Sequence, residues 1–199
     1  MKIKLVVFLL LALAFASGAA LGFSDKVIAG PFSASFNINT TENLTINMSE
    51  PLTHDKFTEY DFQIMAGPFK RELIDVAIDD YKNSTDVSES KLTDLIINRV
   101  ASQSYKVTWG RASISGIPGM GAKIRSTGKS SYIAAYSPDG LNNTGKTIVL
   151  IQSFAAQAVT DSFLRDFQVV RIRDIASVIG GIKVLNFGRI IMPPPQPLV

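Results

Sequence analysis

Between Phe32 and Met48 hydrophobic and polar residues alternate. Phe32, Ala34, Phe36 and Ile38 are apolar at even positions, and Leu44, Ile46 and Met48 continue the parity; Ser33, Ser35, Asn37, Asn43, Thr45 and Asn47 are polar at odd ones. Residues two apart on extended chain share a face, so this pattern predicts two strands, each with a core face and a wet face. The short polar link Thr40 to Glu42 predicts that they form a hairpin. A third strand is expected from Phe57 to Met65, with Tyr60, Phe62 and Ile64 on one side and Glu59, Asp61 and Gln63 on the other. The four letters AGPF occur at Ala29 to Phe32 and again at Ala66 to Phe69, and their Gly-Pro centres predict two turns rather than a duplicated domain.

Beyond the second turn the spacing changes. Pro68 suits the first turn of a helix, and Phe69, Leu73, Val76, Ala77 and Tyr81 recur at helical intervals. The polar stretch Lys82 to Asp86 then predicts a loop, and Ser88 or Ser90 caps a second helix carrying Leu92, Leu95, Ile96 and Val100. From Tyr105 alternation returns. Its parity shifts between Trp109 and Ala112, which points to a bulge at Gly110. Gly116 to Gly121 is rich enough in Gly and Pro to predict a turn, and strands are expected over Ala122 to Ser126, Ser130 to Tyr136 and Thr147 to Phe154. Ile148 to Ile151 is apolar at both parities, so the last of these belongs in the middle of a sheet. Thr160 is placed to cap a final helix that ends between Arg173 and Gly180-Gly181, and Ile182 to Phe187 suits an edge strand. This order predicts an α+β fold: a mostly antiparallel sheet of about seven strands with two to three helices packed against one face.

The chain opens with Lys2 and Lys4, an apolar run from Leu5 to Phe15, and small residues from Ala16 onward. That is the layout of a secretory signal peptide over residues 1–22, with cleavage after Ala20 or Gly22, or of an uncleaved anchor over residues 5–21. Both place the rest of the chain outside the membrane, secreted or at the cell surface. Residues 23–188 are then expected to form one domain, and 189–199, closing on MPPPQPLV, a Pro-rich tail that does not pack. The sequence has no cysteine, which excludes disulfides, thiol catalysis and thiolate metal sites. The net charge of +3 falls to +1 once Lys2 and Lys4 are removed, and no basic run stands out, so nucleic acid is not an expected partner.

Five N-x-[ST] sequons occur, at Asn39, Asn43, Asn47, Asn83 and Asn142. The Asn, Ser and Thr content predicts about 1.4 by chance, and the excess together with the signal segment points to N-glycosylation. Polar strand faces rich in these residues are the competing explanation.

Candidate chemistry is sparse. GLNNTGKT, Gly140 to Thr147, matches the phosphate-loop pattern, but the apolar β-branched run after Thr147 predicts a strand where that loop needs a helix, so no nucleotide is expected. The one histidine, His54, lies in a polar stretch beside Asp55, and no G-x-S-x-G elbow accompanies it. Asp79, Asp80, Asn83 and Asp86, or Asp139, Asn142 and Asn143, are the weak calcium candidates; neither set has the alternating ligands of a defined calcium loop. No catalytic residue, metal ligand or cofactor is therefore assigned. Trp109, Tyr132 and Tyr136 fall on neighbouring expected strands and suit either core packing or an exposed platform.

The segments ISGIPGMGAKIRS (Ile114 to Ser126), SSYIAAYSPDG, TIVLIQSF and TDSFLRDFQVV resemble the second half of Mog/PsbP-like domains, above all exported archaeal members of unknown function. The resemblance covers about half the chain, through element order and a loose G-x-P-G turn. It implies an α/β/α-type sandwich and a non-catalytic role in binding a partner, and it carries no catalytic residue across. Together these features suggest an exported, glycosylated surface domain that binds a protein or glycan of the cell envelope or assembles there. A carboxylate-based hydrolase of the envelope, such as a glycosidase, is the alternative.

Overall fold

The computed structural model describes residues 22–100, 106–126 and 129–172. Eleven strands run along them: β1 (Gly22–Ala29), β2 (Phe32–Asn39), β3 (Leu44–Met48), β4 (Leu52–Thr53), β5 (Phe57–Ala66), β6 (Arg71–Asp86), β7 (Lys106–Ile114), β8 (Ile117–Ser126), β9 (Lys129–Tyr136), β10 (Thr144–Ser153) and β11 (Gln168–Arg171). Helix α1 (Glu89–Val100) lies between β6 and β7, and α2 (Gln157–Asp166) between β10 and β11. The fold is sheet-dominated α+β, and every strand pairing is antiparallel. One sheet has the order β3-β5-β6-β10-β9-β8-β7, with the short β4 also on β5; a smaller one has the order β1-β2-β11.

The small sheet and α2 cover one face of the large sheet. Phe32, Phe36 and Ile38 from β2 meet Phe62, Ile64, Ile74, Val76 and Ile78 there, with Phe163 and Phe167 completing the cluster. The other face is covered by α1, whose Leu92 and Ile96 pack with Ala77, Ala122, Ile124, Ile133, Ile148 and Leu150. The two helices thus lie on opposite faces rather than on one.

Several elements differ from the sequence expectation, each for an identifiable reason. The strands at Phe32 and Leu44 do not form a hairpin: β2 pairs with β1 and β11, β3 pairs with β5, and Thr40 to Asn43 crosses between the layers. The tight turn at Gly30-Pro31 joins β1 to β2 in register, so β2 is already paired on that side. The helix expected from Pro68 is a 16-residue strand, β6. Central between β5 and β10, it is apolar on both faces, and two interleaved apolar sets imitate helical spacing. The expected loop at Lys82 to Asp86 is the end of this strand.

Gly110 is not a bulge, since β7 and β8 pair without a break from Lys106–Arg125 to Ile114–Ile117. The parity shift arises because Val107 faces the α1 core whereas Ala112 and Ile114 face the other. The turn expected over Gly116 to Gly121 is confined to Ser115 and Gly116, both at positive φ, and β8 begins at Ile117. The glycines beyond it make room. A Cβ at Gly119 would lie 2.8 Å from the Tyr136 Cβ, and one at Gly121 would lie 2.3 Å from the Tyr132 hydroxyl.

Thr160 lies inside α2 rather than at its start. Its hydroxyl sits 2.7 Å from that of buried Ser153, and the helix begins at Gln157 and ends at Asp166. The helix beginning near Ser88 and both AGPF turns are as expected, and Ser88 Oγ accepts the Lys91 N–H at 3.3 Å. The signal segment, the strand at Ile182 to Phe187 and the tail 189–199 lie outside the described residues. No helix among the described residues is long and apolar enough to cross a membrane.

Candidate functional site

All five sequon asparagines are exposed. Asn39 ends β2, Asn47 lies on β3 opposite Gln63, Asn83 is near the end of β6, and Asn43 and Asn142 are in connecting segments. Polar positions of half-buried strands and turns are where such residues stay in water, so their alternation already carried this placement.

The loop Gly140 to Thr147 turns its amides inward. Asn142 N–H donates to Val87 O at 2.8 Å, Lys146 N–H donates to Asp139 Oδ2 at 3.0 Å, and Gly140 N–H donates to Ser137 O at 3.0 Å. The Asp139 carboxylate takes an amide that a phosphate loop would turn to its ligand, and β10 begins within the stretch, at Thr144, where a phosphate site has a helix N-terminus.

His54 is half-buried, its ring 4.4 Å from that of Phe57, and no hydrogen bond joins it to a Ser or Asp side chain among the described residues. Of the calcium candidates, Asp139 and Asn143 are neighbours in one loop, where Asn143 Nδ2 donates to Asp139 O at 3.2 Å and Asp139 Oδ2 accepts the Lys146 N–H, while the Asp79 set does not converge. Asp79 and Asp80 are successive strand residues and point to opposite faces. No group of acidic or histidine side chains among the described residues is arranged to hold a metal ion. Asp80 instead faces the small sheet, where Arg171 of β11 grips its carboxylate through both terminal nitrogens and lies 4.6 Å over the Phe32 ring.

On the α1 face, β5–β6 pairing gathers carboxylates that the expected helix would have scattered. Glu59 is directly opposite Asp79, Gln63 is opposite Asp75, and Asp61 stands between them. Asp79 is 3% exposed, and its Oδ1 and that of Asp61 have no hydrogen-bond partner. Burial, reinforced by the neighbouring carboxylates, pushes Asp61 and Asp79 up to about 7. Burial also raises Glu72. Arg99 of α1 bonds Asp75 at 3.0 Å and acts against all three increases. The alternation of Glu59, Asp61 and Gln63 was legible in the sequence; their partners on β6 were hidden by its helical spacing.

A cleft of about 640 Å³ opens between α2 and the β7–β9 end of the large sheet. Thr108, Lys123 and Tyr132 form one cross-strand row of its floor, and Gly110 paired with Gly121 forms the next. Gln157, Asp161 and Arg165 of α2 form the wall. Gln157 Nε2 donates to Asp161 Oδ1 at 2.6 Å, and burial, with Asp161 nearby, raises the Tyr132 hydroxyl. The three-aromatic platform is not formed. Trp109 shares a row with Ala122 and Ile133 on the α1 face, Tyr132 is on the opposite face, and Tyr136 is buried. A second cleft, of about 740 Å³, lies where the sheets meet, between Lys146, Asp139 and Arg171. Asp61 and Asp79 line neither cleft.

Scanned against models of known protein families and against curated proteins, the chain matches none.

Proposed function

We propose that this is an exported, N-glycosylated domain of a cell surface that works by binding or by assembling with an envelope protein or glycan. The observation that carries it is the exposure of every sequon asparagine in a chain that opens with a signal-like segment. The PsbP-like resemblance belongs to the same proposal. It is supported by an antiparallel sheet with helices on both faces, although a three-stranded sheet shares one face with α2. The test is the intact mass of the protein purified from its native envelope. A mass above that of the chain begun at Leu21 or Phe23, reduced by Asn142→Gln, is expected; the bare mass would end the glycan proposal.

The carboxylate row favours a second reading, a hydrolase. Directly paired residues have Cβ atoms about 4.5–5.5 Å apart, which brings Glu59 and Asp79 near the separation of a retaining glycosidase pair. Their distance from both clefts weighs against it. Release of reducing sugar from envelope polysaccharide, abolished by Asp79→Asn and by Glu59→Gln, would restore it.

A further inference from the structure

We infer that the cleft between α2 and strands β7 to β9 is a binding site for an acidic saccharide. This deepens the binding role proposed above. It does not depend on whether the sequons carry glycans, so the bare mass that would end that claim leaves the cleft untouched.

The floor is built for a flat ring. Gly110 faces Gly121 across the β7–β8 pair, and the Tyr132 phenol reaches over Gly121, so the furrow is bare on the Gly110 side and walled by the tyrosine on the other. A Cβ placed at Gly110 would meet no atom within 4 Å, so the furrow is open space there, whereas the space above Gly121 is filled by the tyrosine. A phenol beside bare backbone suits a pyranose, offering it both apolar surface and a hydroxyl, and the cleft volume is within the range of small-molecule sites.

The rim decides the charge. Lys123 rises from the floor with no hydrogen bond or ion pair to another described residue, and Arg165 stands on the wall. Among the described residues Arg165 makes only long contacts, 3.3 and 3.4 Å, with half-buried Asp166. Asp161, held by Gln157 and one turn before Arg165 on α2, supplies an acceptor for sugar hydroxyls on the same wall. Two cations and one carboxylate lining the same cleft suit a hydroxyl-rich ligand that carries its own carboxylate. β7 is the sheet edge, so a longer chain can leave the cleft without obstruction from a further strand.

The probe is trigalacturonate, titrated calorimetrically into the full chain, with its methyl ester and triglutamate in parallel. Binding at millimolar or lower concentration is expected, at least about tenfold weaker for the ester because the charge-assisted bonds are lost. Lys123→Gln should weaken it about tenfold, and Gly110→Val, which fills the furrow from its open side, should abolish it while melting with the wild type. Asp94→Asn, on the exposed side of α1, should change nothing. No heat from trigalacturonate at 10 mM, about the weakest affinity worth assigning, overturns the proposal. So does equal binding of the ester, tighter binding of triglutamate, or indifference to Lys123→Gln; a Gly110→Val chain that fails to fold leaves the lysine variant and the ester as the deciding measurements.

Discussion

Strands β5 and β6 present two faces that could hardly differ more. Toward the small sheet they offer Phe62, Ile64, Ile74, Val76 and Ile78, all buried, and the one carboxylate on that side, Asp80, is held by Arg171. Toward α1 the same strands carry Glu59, Asp61, Glu72, Asp75 and Asp79, with one ion pair, Arg99 to Asp75, among them. One face stabilises the fold by burial; the other keeps charge where the helix reaches only part of the sheet. A structural face and a face able to respond to its surroundings are therefore made from a single strand pair, separated by the two-residue period of extended chain.

The largest test of this contrast is Phe62→Ala. Phe62 is wholly buried, with its ring centroid 6.2 Å from that of Phe36, so its loss should cost about 3–5 kcal/mol, read by denaturant unfolding. A loss below about 1 kcal/mol would mean that the two sheets do not share a core.

Arg171→Ala comes next. It leaves Asp80 partly buried without its guanidinium and removes the cation from the Phe32 face, for an expected loss of about 2 kcal/mol. Asp80→Asn with Arg171→Met together should cost less than Arg171→Ala alone, because no unpaired charge remains.

The smallest effect concerns the acidic face. Asp61 and Asp79 have folded values raised to about 7, well above an ordinary aspartate, so the folded state binds more protons than the unfolded state between about pH 4 and 7. Their contribution is most favourable below that window and is lost as pH rises through 7, so these two groups make the protein less stable at pH 8 than at pH 5. Asp79→Asn should flatten this slope. Arg99→Gln should cost only about 0.5–1 kcal/mol at pH 7 and move the window upward, because Arg99 opposes the raised values. A stability that rises from pH 5 to pH 8 and falls with neither variant would remove the distinction between the faces.

Much of this architecture was legible in the chain. The alternation of Phe32 to Ile38, Leu44 to Met48 and Phe57 to Met65 located strands and wet faces, and Ser88 marked the start of α1. Misreadings came where a strand is covered on both sides. In β6 the apolar sets of two cores overlap, and in β7 a change of core imitated a bulge. Gly119 and Gly121 read as turn residues although they serve close approach by tyrosines from the next strand, which no local pattern reveals. The candidate sites followed the same division. The sequons are local motifs, visible at once, whereas the cleft and the carboxylate row depend on partners far along the chain.

By itself, then, the sequence determined the strands with one wet face, the turns at Gly30 and Gly67, the absence of thiol chemistry and the exposed sequons, because each rests on a few neighbouring residues and their contact with water. Long-range packing alone sets β2 and β3 in different sheets, brings Glu59 opposite Asp79, and gathers Gly110, Gly121 and Tyr132 beneath α2. These are matters of strand pairing and layer order, set by which apolar faces can be buried together across long separations, and no window of local sequence contains that choice.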